Sequence, residues 1–242
     1  MHTFKDSKQL TRMNIQCKNI SFSYPKKQQI FNDITFEFNG SGFHALFGES
    51  GVGKSTLAQI ISGLQIPDTG KIVNQSGSSQ IIYTTNQERF PGWQTIQMHF
   101  DSILPAHKKE DWQHMMSLFG IEQCFKSKFS QLSLGQKNRV NLIRYLLQSH
   151  PVLIMDESLA NVDESMRETI ILFIKEQFPE KLFIYISHHV REICKYCNQI
   201  VVLRSVIHSP QTIHFKGQNL RNNHSIDPDK LKENMLEIVH AT

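Results

Sequence analysis

Residues 48–56, GESGVGKST, combine the residue types that bind a phosphate group. They fit the pattern G-x-x-x-x-G-K-[ST] and lie between an apolar segment predicted to form a strand and an amphipathic segment predicted to form a helix. Glycines let the backbone curl until its N–H groups point at phosphate oxygens, and the following helix presents its positive end to the same anion. Lys54 can reach the β- and γ-phosphates, Ser55 can bind Mg²⁺, and Thr56 can reach the α-phosphate. The predicted phosphate-binding residues are Gly48, Glu49, Ser50, Gly51, Val52, Gly53, Lys54, Ser55 and Thr56.

Two adjacent acids end the apolar run PVLIMDE at 151–157. A buried strand that ends in Asp-Glu places both carboxylates at the carboxyl edge of the sheet, where ligands bind in open α/β folds. Asp156 suits the shell of Mg²⁺, directly or through a water, and Glu157 suits the polarisation of an attacking water. An acidic helix start is the alternative explanation, and the phosphate loop elsewhere in the chain favours the metal-binding and catalytic roles.

Strand and helix signals alternate along the chain, which predicts an α/β fold with a largely parallel sheet. Segments 14–24 and 33–40 alternate apolar and polar residues, as half-exposed antiparallel strands do. Strand signals vanish between about 94 and 149, where helical patterns take over, and then resume. The sequence therefore predicts a helical insertion within an α/β core, followed by a weakly patterned stretch at 205–226 and a short closing helix at 227–240.

The composition is that of a chain with a sizeable core. Its 242 residues are 39% apolar, and 26 basic against 22 acidic residues leave a formal charge of only +4, so we expect no nucleic-acid partner. No apolar run reaches the roughly 18–20 residues that span a bilayer, and the N-terminal stretch MHTFKDSKQLTRMN lacks the apolar core of a secretory signal. These features predict a cytoplasmic protein of one large domain, or of one domain with a subdomain.

Cys194 and Cys197, two of the four cysteines, form a C-x-x-C pair. This spacing is compatible with a zinc or redox site, but no second pair and no His at ligand spacing follows it. The surrounding sequence HHVREICKYCNQIVVL predicts a helix that runs into a strand, with both thiols near one helix face. Buried structural thiols are therefore the favoured interpretation.

In order and spacing, six motifs within 14–205 resemble those of the nucleotide-binding subunits of ATP-binding-cassette (ABC) transporters. GESGVGKST resembles the Walker A motif, VLIMDE the Walker B motif, and LSLGQ at 132–136 the LSGGQ signature. ANVD at 160–163 stands at the D-loop, and ISHH at 186–189 resembles the end of the switch-histidine strand. FSYPKK at 22–27 stands where the family stacks an aromatic ring on adenine.

The resemblance implies ATP and Mg²⁺ as the bound groups and assigns roles to single residues. Glu157 and His188 would be the catalytic residues, and Ser55 and Asp156 would bind the metal. The nucleotide-binding residues implied beyond the Walker A motif are Tyr24, Ser133, Gly135, Gln136 and Asp163.

The family fold implied is an α/β P-loop NTPase (RecA-like) core with an antiparallel β subdomain and an inserted helical subdomain. We therefore expect a single ABC ATPase domain, with the core and β subdomain at 1–90 and 150–205, the helical signature subdomain at 91–149, and a C-terminal extension at 206–242. Two cassettes would form a head-to-tail dimer, in which each ATP lies between the Walker motifs of one chain and the signature of the other.

Two positions depart from the family pattern. The family has a Gln after the strand that leads into the helical insertion, whereas an ungapped alignment places Thr84 there, with Gln87 three residues later. Leu134 replaces the first Gly of the signature and adds bulk at the dimer seam, so we expect a working but weakened motif. The segment FPGW at 90–93 is a candidate docking surface for a membrane subunit, and a pinned aromatic turn is the alternative.

The resemblance is strongest to the peptide and nickel uptake branch, in which two different cassettes pair. It implies an ATP-hydrolysing importer subunit at the cytoplasmic face of the membrane, with a second cassette, two integral-membrane permeases and, indirectly, an extracytoplasmic substrate-binding protein as partners. Two alternatives stay open. One is a weak or catalytically silent ATP-binding partner cassette, and the other is a soluble ABC ATPase without a transport role.

Overall fold

The computed structural model describes residues 13–25, 29–76, 80–84, 92–105, 109–222 and 225–242, with the backbone alone at 109–110. The strands are β1 (Asn14–Ser23), β2 (Gln29–Asn39), β3 (Gly42–Phe47), β4 (Thr69–Asn74), β5 (Ile81–Thr84), β6 (Val152–Asp156), β7 (Leu182–Ile186), β8 (Gln199–Leu203) and β9 (Thr212–Lys216). The helices are α1 (Lys54–Ile61), α2 (Ile96–Ile103), α3 (Lys109–Leu118), α4 (Leu134–Leu146), α5 (Glu164–Gln177), α6 (Val190–Tyr196) and α7 (Pro228–Ala241).

The strands form two sheets. A three-stranded antiparallel sheet has the order β2–β1–β4, and a six-stranded sheet has the order β5–β6–β7–β3–β8–β9. The first five strands of the larger sheet are parallel, and β9 pairs antiparallel with β8. Every residue of β6 and β7 is buried, as expected for strands that are covered on both faces.

The parallel arrangement brings three loops to one edge of the larger sheet. β7 lies between β6 and β3, and the three strands run in the same direction. The loops that follow β3, β6 and β7 therefore begin side by side at the carboxyl ends of neighbouring strands, although they are far apart in the sequence. This edge is where ligands bind in open α/β sheets.

The predicted helical insertion is confirmed, because α2, α3 and α4 all lie between β5 and β6. Its core includes a stack of three aromatic rings, in which Trp112 lies 4.7 Å from Phe100 and 4.6 Å from Phe125, centroid to centroid, with nearly parallel planes. Trp112 is fully buried. This stack ties α2 and α3 to the turn that leads towards the signature.

The predicted α/β fold with an antiparallel sheet is confirmed, and the closing helix is present as α7, which Asp227 caps at its N-terminus. Two strands were not predicted. β9 lies within the stretch 205–226, whose weak pattern follows from its position at the edge of the sheet. β4 is likewise an edge strand, only partly buried. Among the described residues, none of the helices has the length and apolar character that a membrane crossing needs.

Candidate functional site: a phosphate loop and the facing carboxylates

The phosphate loop, residues 48–53, connects β3 to α1, and packing forces its curvature. Gly48 and Gly53 adopt φ angles of 149° and 108°, in the region that side chains rarely enter. A β-carbon on Gly48 would collide with the carbonyl oxygen of Leu203, and one on Gly53 would lie 2.7 Å from Cγ2 of Ile30. Both positions therefore require glycine, and the cradle that they form suits a close approach of backbone N–H groups to phosphate.

Lys54 holds the phosphate loop from within. Its ammonium donates hydrogen bonds to the carbonyl oxygens of Gly48 at 2.8 Å and Glu49 at 2.7 Å, and only 7% of the residue is exposed. Burial lowers the pKa of the Lys54 amine, while the negative charges of Asp156 and Glu157 oppose this shift. The positive charge therefore lies inside the loop and close to both predicted carboxylates.

Asp156 is the last residue of β6, and it is buried. Its Oδ2 accepts a hydrogen bond of 2.7 Å from the hydroxyl of Tyr83 at the end of β5. The same hydroxyl also interacts with the side chains of Ser55 and Gln59. Burial, followed by the interaction with Asp156, raises the pKa of the Tyr83 hydroxyl. Tyr83 therefore stays a neutral donor at physiological pH.

The oxygen atoms gathered here fit a magnesium ion. Ser55 contributes an exposed hydroxyl at the start of α1, and Asp156 contributes a carboxylate whose second oxygen, Oδ1, is available to a metal or to a metal-bound water. Magnesium prefers oxygen ligands and commonly takes one or two protein groups together with substrate phosphates. Ser55 and Asp156 would hold the ion beside the phosphate loop.

Glu157 and His188 form a hydrogen-bonded pair at the same sheet edge. Oε1 of Glu157 lies 2.5 Å from Nε2 of His188, and both side chains remain partly exposed, at 38% and 49%. Glu157 adopts a left-handed φ of 50°, and its N–H donates to the carbonyl oxygen of Ile186 on β7. The left-handed conformation is unfavourable for a residue with a β-carbon. Such strain is typical of functional positions.

The signature forms the start of α4. Ser133 caps the helix, since its hydroxyl accepts from the N–H of Gln136 at 3.3 Å, and the Gln136 side chain accepts from the N–H of Ser133 at 2.9 Å. Leu134 is 52% exposed. A β-carbon on Gly135 would lie 3.1 Å from the carbonyl oxygen of Asn161. The tight position in this motif is therefore Gly135, whereas the side chain of Leu134 reaches solvent.

The D-loop packs beside the signature of the same chain. Asp163 caps α5 by accepting a hydrogen bond of 2.9 Å from the N–H of Met166. Arg139 of α4 bridges the two elements, because its guanidinium donates to the carbonyl oxygen of Gly135 and contacts the sulfur of Met166. The structure thus groups the signature with Asp163, and it groups the phosphate loop with Asp156 and Glu157.

Tyr24 lies beside the start of α1. Its hydroxyl and that of Thr56 are 3.1 Å apart, and its ring packs edge-on against Phe22. This places an aromatic ring next to the phosphate loop, where the predicted contact with adenine remains an expectation.

Thr84, which the ungapped alignment places at the position of the family's Gln, is buried in the protein. Its hydroxyl lies 2.6 Å from that of Ser158 and donates to the carbonyl oxygen of Ile154, and only 3% of the residue is exposed. A buried side chain held in this way cannot replace a Gln that orients metal or water. Gln87, Phe90 and Pro91 lie outside the described residues. Trp93, the last residue of the FPGW segment, is 75% exposed.

Sequence reasoning missed Tyr83, which donates to the predicted metal ligand from a strand 73 positions earlier in the chain. A single Tyr in a short apolar strand carries no local signal of this contact. Cys194 and Cys197, in contrast, are free and buried as predicted, and so are Cys17 and Cys124, for which no prediction was made. Burial raises the pKa of the Cys194 thiol to about 11. Within the described residues no group of three or more His, Cys, Asp or Glu side chains is arranged to hold a metal ion by itself, so the two thiols of the C-x-x-C pair do not belong to such a site.

Comparisons with known proteins agree with this geometry. A family model described as "ABC transporter" matches residues 31–160. The nickel import system ATP-binding protein NikE of Staphylococcus aureus is 32% identical over 202 residues, which cover 78% of this chain and 86% of that protein. The molybdenum import ATP-binding protein ModC of Rhizobium etli is 31% identical over 191 residues, 71% of this chain, and the match spans about half of that protein (54%).

Solved structures share the fold at lower identity. An ATP-binding subunit of an ABC transporter superposes with a TM-score of 0.69 at 19% identity, covering 93% of this chain and 99% of the other. A bacterial Atm1-family ABC exporter with ATP bound gives 0.70 at 19% identity, covering 95% of this chain and 42% of the other. Together with the family match, the phosphate loop and the facing carboxylates show that the chain belongs to the ABC transporter family, as an ABC-type ATPase.

Proposed function

We propose that this chain is the ATP-hydrolysing subunit of a membrane importer. The observation that carries the proposal is the convergence of Lys54, Asp156, Glu157 and His188 at one edge of the six-stranded sheet. Phosphoryl transfer requires little covalent chemistry from the protein, so positioning and charge stabilisation supply most of the catalysis. This edge offers both.

Each residue has a distinct task in this proposal. Lys54 turns from the loop carbonyl oxygens to the β- and γ-phosphates, exchanging two neutral acceptors for charged ones. Ser55 and Asp156 would hold Mg²⁺, which when bound would supply positive charge to offset the charge that develops on the phosphate oxygens. Glu157 orients and polarises the attacking water, and His188, bonded to Glu157, contacts the γ-phosphate and the same water.

A second cassette completes each site in this proposal. The start of α4 presents an exposed Ser133 hydroxyl and a helix N-terminus, both suited to a phosphate. In the same chain, however, this motif packs against the D-loop rather than against the phosphate loop. A head-to-tail dimer would bring it to the ATP of the partner cassette. Leu134 in place of Gly favours pairing of two different cassettes.

The transported substrate is inferred from relatives. NikE, whose name describes a nickel import system, matches this chain across most of both proteins. We propose nickel or another metal chelate, or a peptide, as the cargo, brought by an extracytoplasmic binding protein and passed through two permeases. The cassette would then work at the cytoplasmic face of the membrane. The apolar side chains of Trp93, Met98 and Ile103, on and beside α2, are exposed and would be available to contact a permease.

Replacement of Lys54 tests the phosphate-binding assignment. We expect Lys54→Ala to abolish tight MgATP binding and hydrolysis, because the charge that faces the phosphates is lost. Lys181→Ala is a matched control, since Lys181 is equally buried at 7% and also donates to two carbonyl oxygens, those of Leu146 and Gln148. Calorimetry should show MgATP binding by the wild type and the control, and none by Lys54→Ala.

Unchanged ATP affinity in Lys54→Ala would disprove the phosphate-loop assignment. The transport role needs the complete complex with its permeases and partner cassette, reconstituted in vesicles. ATP-dependent uptake of nickel or peptide that disappears with Lys54→Ala would support the importer. Robust ATP turnover without uptake of either cargo would favour another substrate or a role outside transport.

A further inference from the structure

The end of β5 holds the carboxylate that is proposed to bind metal. The Tyr83 hydroxyl donates to Oδ2 of Asp156 over 2.7 Å, a length typical of a strong hydrogen bond to a charged oxygen. The same hydroxyl lies within reach of Ser55, the other proposed metal ligand. One tyrosine therefore donates to Asp156 and lies close enough to Ser55 to interact with it.

The next residue of β5, Thr84, makes a similar contact with the loop after β6. Thr84 and Ser158 are joined by their hydroxyls, so β5 binds β6 and its loop at two points. Asp156 lies at the first point and Ser158 at the second, with Glu157 between them. The backbone that carries the proposed catalytic residue is thus fixed on both sides by one short strand.

We propose that Tyr83 is a positioning residue of the ATPase site, whose hydroxyl orients the Asp156 carboxylate and the Ser55 hydroxyl for the metal ion that accompanies ATP. A carboxylate is free to rotate about its last bond unless a partner holds one oxygen. With Oδ2 held by Tyr83, Oδ1 keeps a constant position towards the metal shell. Outer partners of metal ligands commonly change metal affinity by 10–100-fold when they are removed.

A packing role alone would not explain the hydroxyl. A phenylalanine would fill the same space in β5, but it would leave a buried carboxylate without its donor. The inference rests on the proposed function, since the metal site is meaningful only if the phosphate loop binds ATP.

The test uses the full-length chain, Mn²⁺ as a paramagnetic probe, and a non-hydrolysable ATP analogue. We expect Tyr83→Phe to weaken Mn²⁺ binding in the presence of the analogue by about tenfold, measured by electron paramagnetic resonance. Binding of the analogue in EDTA should not change, because the phosphate loop is intact. Tyr185→Phe is the control, since Tyr185 also donates to a carboxylate, that of Glu192, over 2.7 Å, but away from Ser55 and Asp156.

The control variant should bind Mn²⁺ as tightly as the wild type. Equal Mn²⁺ affinity in Tyr83→Phe and the wild type would overturn the inference and leave the proposed function intact. An equal loss in Tyr83→Phe and Tyr185→Phe would also overturn it, because the effect would then reflect general stability. If the wild type bound the analogue neither in EDTA nor in the presence of Mn²⁺, the proposed function would be disproved, and so would this inference.

Discussion

The signature shows how two adjacent residues can differ in what they tolerate. Leu134 is half exposed and begins α4, so its side chain can turn away from a partner cassette. Gly135 has only 3.1 Å between its missing β-carbon and the carbonyl oxygen of Asn161. We therefore expect Leu134 to weaken the motif less than a comparison with LSGGQ alone would indicate.

We expect Leu134→Gly to raise, and Gly135→Ala to lower, ATP turnover at the partner's site, each by up to about tenfold, which corresponds to about 1.4 kcal/mol. Removal of Leu134 relieves bulk at the seam, whereas a methyl group at 135 pushes Asn161 and the D-loop. Turnover should be measured in the two-cassette complex with Glu157→Gln also present in this chain, so that only the partner's site works. Identical rates for Leu134→Gly and Gly135→Ala would contradict this interpretation.

At the scale of elements, β5 is a short strand whose side chains hold the residues on both sides of Glu157 in place. Its last two residues reach Asp156 and Ser158 on either side of Glu157. The side chain of Thr84 is buried and bonded to Ser158 and Ile154, so Thr84 does not supply a group that orients metal or water at the site. We therefore expect that Thr84→Gln will not increase the rate of ATP turnover.

We expect Thr84→Val to lower the free energy of unfolding by about 1–2 kcal/mol, because it removes a buried hydroxyl and leaves that of Ser158 without this partner. Thr84→Gln should cost more, since the longer amide must enter a position that is only 3% exposed. Urea denaturation of both variants and the wild type measures these differences. A Thr84→Gln variant as stable as the wild type and faster in ATP turnover would show that the side chain at 84 reaches the site.

For the whole molecule, the core of the larger sheet contains a titratable group that the chemistry does not use. His44 on β3 is fully buried, and its Nε2 lies 3.0 Å from the carbonyl oxygen of Gly40. Burial lowers the pKa of His44 from 6.5 to about 4, although the hydrogen bond to the Gly40 carbonyl and the nearby Gln199 side chain both favour the charged form. The folded protein therefore holds His44 neutral at pH values where the unfolded chain protonates it.

The lowered pKa of His44 determines how the stability of the fold changes with pH. Between pH 6.5 and about 4 the unfolded state binds more protons at His44 than the folded state, so stability falls as the pH falls. The full effect corresponds to about 3 kcal/mol. We expect His44→Leu to lose this part of the acid destabilisation, measured as the free energy of unfolding in urea at a series of pH values. The same slope in the variant and the wild type would show that other groups cause it.

Local sequence patterns were sufficient to predict most of the strands and helices of the fold. The alternation in β1 and β2, the apolar runs of β6 and β7, and the glycine-rich turn before α1 each depend on residues that are close in sequence. Edge strands β4 and β9 lacked this signal, because a strand with one free side and partial burial needs no strict apolar pattern.

By itself, the sequence determined which residues have the chemistry for phosphate and metal binding, since Lys54, Asp156 and Glu157 stand in short motifs with defined flanking elements. Only the tertiary structure decided which residues meet them. The contact of Tyr83 with Asp156 joins positions 73 residues apart, and the inward turn of Thr84 follows from strand pairing. Sheet order and side-chain packing determine such contacts, and neither produces a periodic pattern in the sequence of the residues that make them.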